Sequence, residues 1–231
     1  MEQYSCKRNH HADWNATNLH GQGEVWINTD IIVWNQVRSR SNSKRWFILI
    51  LKNTSCFFIK ISKTRVTQIA LALFFLFIIF ILPGQSASAK KYSGDAGSPD
   101  LSLFYSSSDI YKMAEQFGDA GRRAYVQARF SFDLIFPIVY GFFLITSISW
   151  LFGKLTNDTS RLQMLNLIPA AGVLFDFFEN ISASIVINRF PESSPIFAAF
   201  TPFFTFIKWA FVGGSFFILL ITGLVYVLKK K

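Results

Sequence analysis

Apolar residues along this chain collect into runs long enough to cross a bilayer as helices, and the polar residues that interrupt the runs recur at helical rather than strand spacing. The first run, Ile69 to Leu82 (IALALFFLFIIFIL), follows Lys60, Lys63 and Arg65 and stops at Pro83 and Gly84. A basic start, an apolar core and small residues at Ala87 and Ala89 match the layout of a secretory signal. The segment is therefore either a cleaved signal or a short first span; an uncleaved helix is the preferred reading, and either one puts Lys90 onward outside the cytoplasm. The second run is Ser131 to Phe152 (SFDLIFPIVYGFFLITSISWLF) and the third Leu162 to Ile187 (LQMLNLIPAAGVLFDFFENISASIVI). The last, Ile196 to Leu228, exceeds what one bilayer requires, so Ile196 to Phe204 is expected along the interface and a final span from about Thr205 to Leu228.

Between the first two runs, SASAKKYSGDAGSPD has the composition of a linker. Ile110, Met113, Ala114 and Phe117 then recur at i, i+3, i+4 and i+7, which predicts a short amphipathic helix, capped from Ser107, Ser108 or Asp109 and ended by Gly118. Asp119 caps the next helix, with Arg122, Arg123, Tyr125 and Arg129 on its exposed first turns. Residues 1–64 sustain neither helical nor strand periodicity and read as a poorly ordered, basic extension. Within it, Trp46 to Ile61 is interrupted by Lys52 to Ser55 and is at most surface-associated. A natural start near Lys60, with residues 1–59 never shaped by selection, is the alternative. The expected fold is all-α: an integral membrane bundle of four transmembrane helices, the first short and signal-like, plus an amphipathic helix in the outer loop. Its units are residues 1–64, 65–83 (first span or signal), 84–130 (extracytoplasmic loop) and 131–231 (a three-span bundle).

Composition agrees. Apolar residues make up 51% of the chain, 27 residues are Phe and mean hydropathy is +0.32, which excludes an ordinary soluble enzyme. The net charge of +9 lies largely outside the apolar runs. It therefore serves to orient spans and meet anionic head groups, and no nucleic-acid motif accompanies it. Lys154, Arg161 and the terminal Lys229 to Lys231 place both termini in the cytoplasm, against the opposing weight of Lys90, Lys91, Lys112, Arg122, Arg123 and Arg129 in the outer loop. With a signal-like start and no transit-peptide composition, a bacterial inner membrane is the expected location. Cys6 and Cys56 form no CxxC and suggest no disulfide framework, and Cys6 with His10, His11 and His20 fits no zinc spacing, so no metal and no cofactor is expected.

The chemistry sits inside the membrane. Asp176, Glu179 and Asn180 share a face of the third span with Gly172 and Ser184, and a carboxylate at that depth costs a few kcal/mol or more unless it finds a partner. In the second span Asp133, Pro137, Tyr140 and Gly141 share a face, and Pro137 frees a carbonyl near Asp133. In the fourth, Thr201, Thr205, Lys208, Ser215 and Thr222 form a polar stripe, with Gly213 and Gly214 offering close approach to a neighbour. At about 1.5 Å per residue, Asp133, Glu179, Asn180 and Lys208 lie at depths that allow them to meet. Lys208 is expected to pair with Asp133 or Asp176. Three acids to one base leaves a carboxylate protonated at neutral pH unless Arg129 reaches down or a cation binds.

The candidate binding residues are thus Asp133, Tyr140, Asp176, Glu179, Asn180 and Lys208. Three functions fit them: a helical scaffold or accessory protein; a site that binds or transports a cation, a proton or a small amphiphile; and a membrane-embedded acid/base enzyme acting on a lipid-like substrate. The scaffold predicts full pairing. Membrane lipids are the expected partners, along with a protein partner or a second copy. No HExxH, GxSxG, Gly-rich phosphate loop or DxxDG pattern is present to fix a reaction.

Overall fold

The computed structural model describes residues 46–94, 97–99, 102, 104–156 and 160–230. Four helices are long and apolar enough to cross a membrane, Thr64–Lys91, Ser107–Leu155, Arg161–Arg189 and Pro195–Lys230, and no strand occurs among the described residues. The chain is a multi-pass membrane protein built as an all-α helical bundle. Its large exposed side chains, among them Ile79, Phe80, Phe217, Leu220 and Leu224, are what a lipid-facing surface requires and would be a liability in water.

In chain order, α1 covers residues 46–61 and α2 runs Thr64–Leu76. A π-helical turn, Phe77–Ile81, leads into α3, Leu82–Ser93. The expected stop at Pro83 and Gly84 does not occur. Pro83 falls at the start of α3, where a missing N–H costs least, and the wide π turn before it makes room for the ring. The linker expected from Gln85 is thus helical as far as Ser93, including Ala87 and Ala89. α1 also differs from expectation. The polar residues Lys52 to Ser55 do not break it, because Ser55 turns inward and is buried against the bundle, while Thr54 bonds back to the Ile50 carbonyl. Residues 1–45, including the Cys6 and histidine group, lie outside the described residues. Cys56 is disulfide-bonded, which corrects the expectation for that residue.

α4, Ser107–Arg129, contains the predicted break at Gly118, whose φ of 61° is a conformation that favours glycine. Its cap is Ser106, one residue before those expected: the Ser106 N–H donates to the Asp109 carboxylate at 3.0 Å in a capping box. Ile110, Met113, Ala114 and Phe117 pack with Tyr125 against Ala183, Val186 and Ile187 of α6, Ile168–Arg189, and Ala198 of α7, Pro195–Lys230. A second core joins Ala70 of α2, Tyr140, Phe143 and Leu144 of α5, Phe132–Leu155, and Val212 of α7. α6 is preceded by a 3-10 segment, Arg161–Leu167.

α7 corrects another expectation. Instead of an interfacial piece followed by a span, it is one helix of 36 residues with Pro202 inside. Thr201, Thr205, Lys208, Ser215 and Thr222 are all buried on it, so one inward stripe runs past Pro202 from Thr201 to Thr222 and the helix gains nothing by breaking.

The glycines that permit close packing are not those expected. Gly213 and Gly214 have open space around them, whereas a Cβ on Gly141 would lie 2.5 Å from Val173 Cγ2, and one on Gly172 would lie 3.0 Å from Val212 Cγ2. Val173 is stiff about χ1 and cannot swing aside. Gly141→Ala is therefore expected to lower unfolding free energy by about 1–3 kcal/mol despite its better helix propensity. Gly213→Ala should raise it by up to about 1 kcal/mol. Denaturant titration of the two variants in detergent checks this, and equal responses would refute the assignment of the contact.

Candidate functional site

Four helices deliver polar side chains to the buried region where α4 passes into α5. α4 ends there in Arg129, α5 carries Asp133 in its first turn, α6 brings Asp176, Glu179 and Asn180 on its inward face, and α7 brings Lys208. Glu179 is fully buried; Arg129, Asn180 and Lys208 are nearly so. The shared face read from the α6 spacing holds: Gly172, Asp176, Glu179, Asn180 and Ser184 are all buried on it.

Asn180 is the hub. Its Nδ2 donates to Asp176 Oδ1 at 3.1 Å and to the backbone carbonyl of Asp133 at 3.1 Å. In a regular helix that carbonyl would accept from the residue four ahead, which is Pro137 and has no N–H. The predicted free carbonyl therefore exists, and an amide from the neighbouring helix takes it. Asn180 Oδ1 in turn accepts from Arg129 Nη1 at 3.3 Å. One side chain thus bonds α4, α5 and its own helix.

Arg129 corrects the view of it as a residue on an exposed turn. Its guanidinium pairs with Asp133 at 2.9 Å, donates to Ser98 Oγ at 3.1 Å and lies over the Tyr125 ring, 4.3 Å from its centroid. Tyr125, also expected to be exposed, is fully buried. The sequence signal that could have found Arg129 is its position four residues before Asp133, the spacing at which opposite charges meet on a helix. With Arg129 included, the cluster holds three carboxylates and two cations.

Asp176 accepts a second hydrogen bond, from Tyr140 OH at 2.8 Å, which ties α5 to α6. Lys208 stands 2.5 Å from Glu179 Oε2, where the sequence pointed to Asp133 or Asp176. Its ammonium also lies 5.4 Å from the Trp209 ring centroid. The α6 and α7 hydroxyls of Ser182 and Thr201 meet at 3.0 Å, and Tyr105, just before α4, reaches Thr205 at 2.8 Å.

Of the six residues predicted from sequence, Asp133, Asn180, Asp176 and Tyr140 are joined with Arg129 by hydrogen bonds and an ion pair, and Glu179 pairs with Lys208. Their charged atoms face one another. A groove of about 1070 Å³ lies elsewhere, between α3 and α4, lined by Gln85, Ser88, Lys91, Gln116, Gln127 and Ser131 among others, and none of the six candidates lines it. No group of three metal-ligating side chains occurs among the described residues. No protein-family model, curated protein or solved structure matches this chain, so its function is to be read from this geometry.

Proposed function

We propose that the protein is a membrane scaffold or accessory subunit whose buried charge network fixes the register of its helices. The observation that carries this reading is the mutual engagement of the acids: Asp133 with Arg129, Glu179 with Lys208, and Asp176 with Tyr140 and Asn180. Individual interhelical hydrogen bonds in membranes contribute only about 0.6 kcal/mol on average. Their value here is selective, because sliding any one helix by a residue would strand several charged groups in a low-dielectric interior at once.

The proposal includes a bacterial cell membrane with both termini in the cytoplasm. What supports that orientation is the placement of Lys154, Arg161 and Lys229 to Lys231 at the ends of the spans away from the α3–α4 loop.

The test is a thermal-unfolding screen of the detergent-solubilised protein against monovalent and divalent cations, pH steps between 5 and 8 as the probe of proton binding, and single-chain amphiphiles. A scaffold is expected to show no ligand-specific rise in the midpoint, while Glu179→Gln lowers it. A saturable rise with one ligand that disappears in Asp176→Asn would replace the scaffold with a binding site.

A further inference from the structure

The function proposed above leaves α1 unused, and its position is informative. The Ser55 carbonyl accepts from Asn166 Nδ2 at 3.2 Å. The same amide nitrogen donates to Ser149 Oγ on α5 at 2.9 Å. Nine residues later, Thr64 accepts from Trp150 Nε1 at 3.1 Å. Ser149 and Trp150 are neighbours on α5, so Ser55 and Thr64 sit at nearly the same level along that helix. Ser55 to Ile61 is helical and spans about 9 Å, and Ser62 and Lys63, which are not helical, turn the chain into α2. α1 therefore does not continue the axis of α2 but turns away from it, beside the ends of α5 and the 3-10 segment where α2 begins.

Its free face is apolar. Trp46, Ile50, Phe57 and Ile61 follow at i, i+4, i+11 and i+15, a stripe within about 60° of arc. All four are exposed, Trp46 to 67% and Phe57 to 57%. Ser55 and Ser62, on the opposite face, are buried against the bundle. The five residues Trp46 to Ile50 are all exposed and project beyond Ser55, away from the contact with Asn166. Charge selects the occupant: no Asp or Glu occurs between Asp30 and Asp95, while Lys52, Lys60, Lys63 and Arg65 lie on or next to α1. An interfacial stripe with no carboxylate near it and with Lys60, Lys63 and Arg65 toward its Ile61 end complements a leaflet rich in anionic lipid.

We infer that α1 is an in-plane anchor, seating Trp46, Ile50, Phe57 and Ile61 among the upper acyl chains of the leaflet at the Thr64 end of α2, with Lys52 and Lys60 holding anionic head groups. Through Asn166 it joins that leaflet to the inner ends of α5 and α6.

The full chain, reconstituted in vesicles of phosphatidylcholine and phosphatidylglycerol, provides the test. Either lipid in turn is brominated high on its acyl chains, and the Trp46 signal is obtained as wild type minus Trp46→Phe. The Trp46 emission should be quenched by both lipids, and at equal mole fraction at least about twofold more by the brominated anionic lipid. Lys52→Gln with Lys60→Gln should remove that preference while leaving the quenching itself. No quenching of Trp46 by either lipid would overturn the inference and show the stripe to be in water or covered by protein, whether residues 1–45 or a second copy. Equal quenching by the two lipids in the wild type would overturn the anionic selection.

Discussion

Lys208→Met is expected to cost about 3–5 kcal/mol of unfolding free energy, the penalty for leaving a buried charge without its ion-pair partner. Glu179 has no contact with solvent, and Lys208 stands 2.5 Å from it. Met keeps most of the lysine stem, so packing beside Trp209 survives and the loss reports on charge. The pair's net worth is a separate quantity. Glu179→Leu combined with Lys208→Met removes both charges and should return stability to within about 1 kcal/mol of the wild type, because apolar replacement of a whole buried pair is often neutral or favourable. What the double variant should lose is uniqueness: with the pair gone, α6 and α7 are held by apolar contact and the hydroxyls of Ser182 and Thr201. Crosslinking between cysteines placed on the two helices would then be spread over several registers. A single variant as stable as wild type would remove the register role proposed for the pair.

The sequence located the cluster through a conflict between two levels of description. Asp176, Glu179 and Asn180 stand in a run that is otherwise apolar, and helical spacing puts them on one face, so their inward direction follows from lipid alone. Which acid meets which base does not follow. Lys208 reaches Glu179 because α7 is unbroken, and its continuity depends on an inward polar stripe that outweighs the signal of Pro202. Loop composition points Arg129 to the surface, with its reaching down to the acids as the alternative, and loop composition alone does not measure exposure. Arg129 is buried because Gly118 turns the second half of α4 into the bundle, where Asp133 and Asn180 receive it. Helix ends are the least legible feature: Pro83, Gly84 and Asn53 to Ser55 are all unfavourable in helices by local preference, and all lie within helices. Local propensity of about 1 kcal/mol per residue yields readily to packing and to the demand of lipid that backbone groups be satisfied within the helix.

Asn180→Leu is the second change expected to have a large effect, about 2–4 kcal/mol, because it removes donors from two oxygens and an acceptor from a buried guanidinium together. Part of that cost arises only because Pro137 leaves the Asp133 carbonyl without its helical partner. Pro137→Ala supplies the missing N–H. In that background Asn180→Leu should therefore cost about 1 kcal/mol less than in the wild type, a coupling between residues on different helices that share one carbonyl. Pro137→Ala alone should be near neutral, since the gained backbone hydrogen bond offsets packing lost around a buried proline ring. The four proteins of the cycle, unfolded by denaturant in the same detergent, give the coupling directly. Additive effects would mean that Asn180 acts through Arg129 and Asp176 alone, and the carbonyl freed by Pro137 would then have no part in holding α5 to α6.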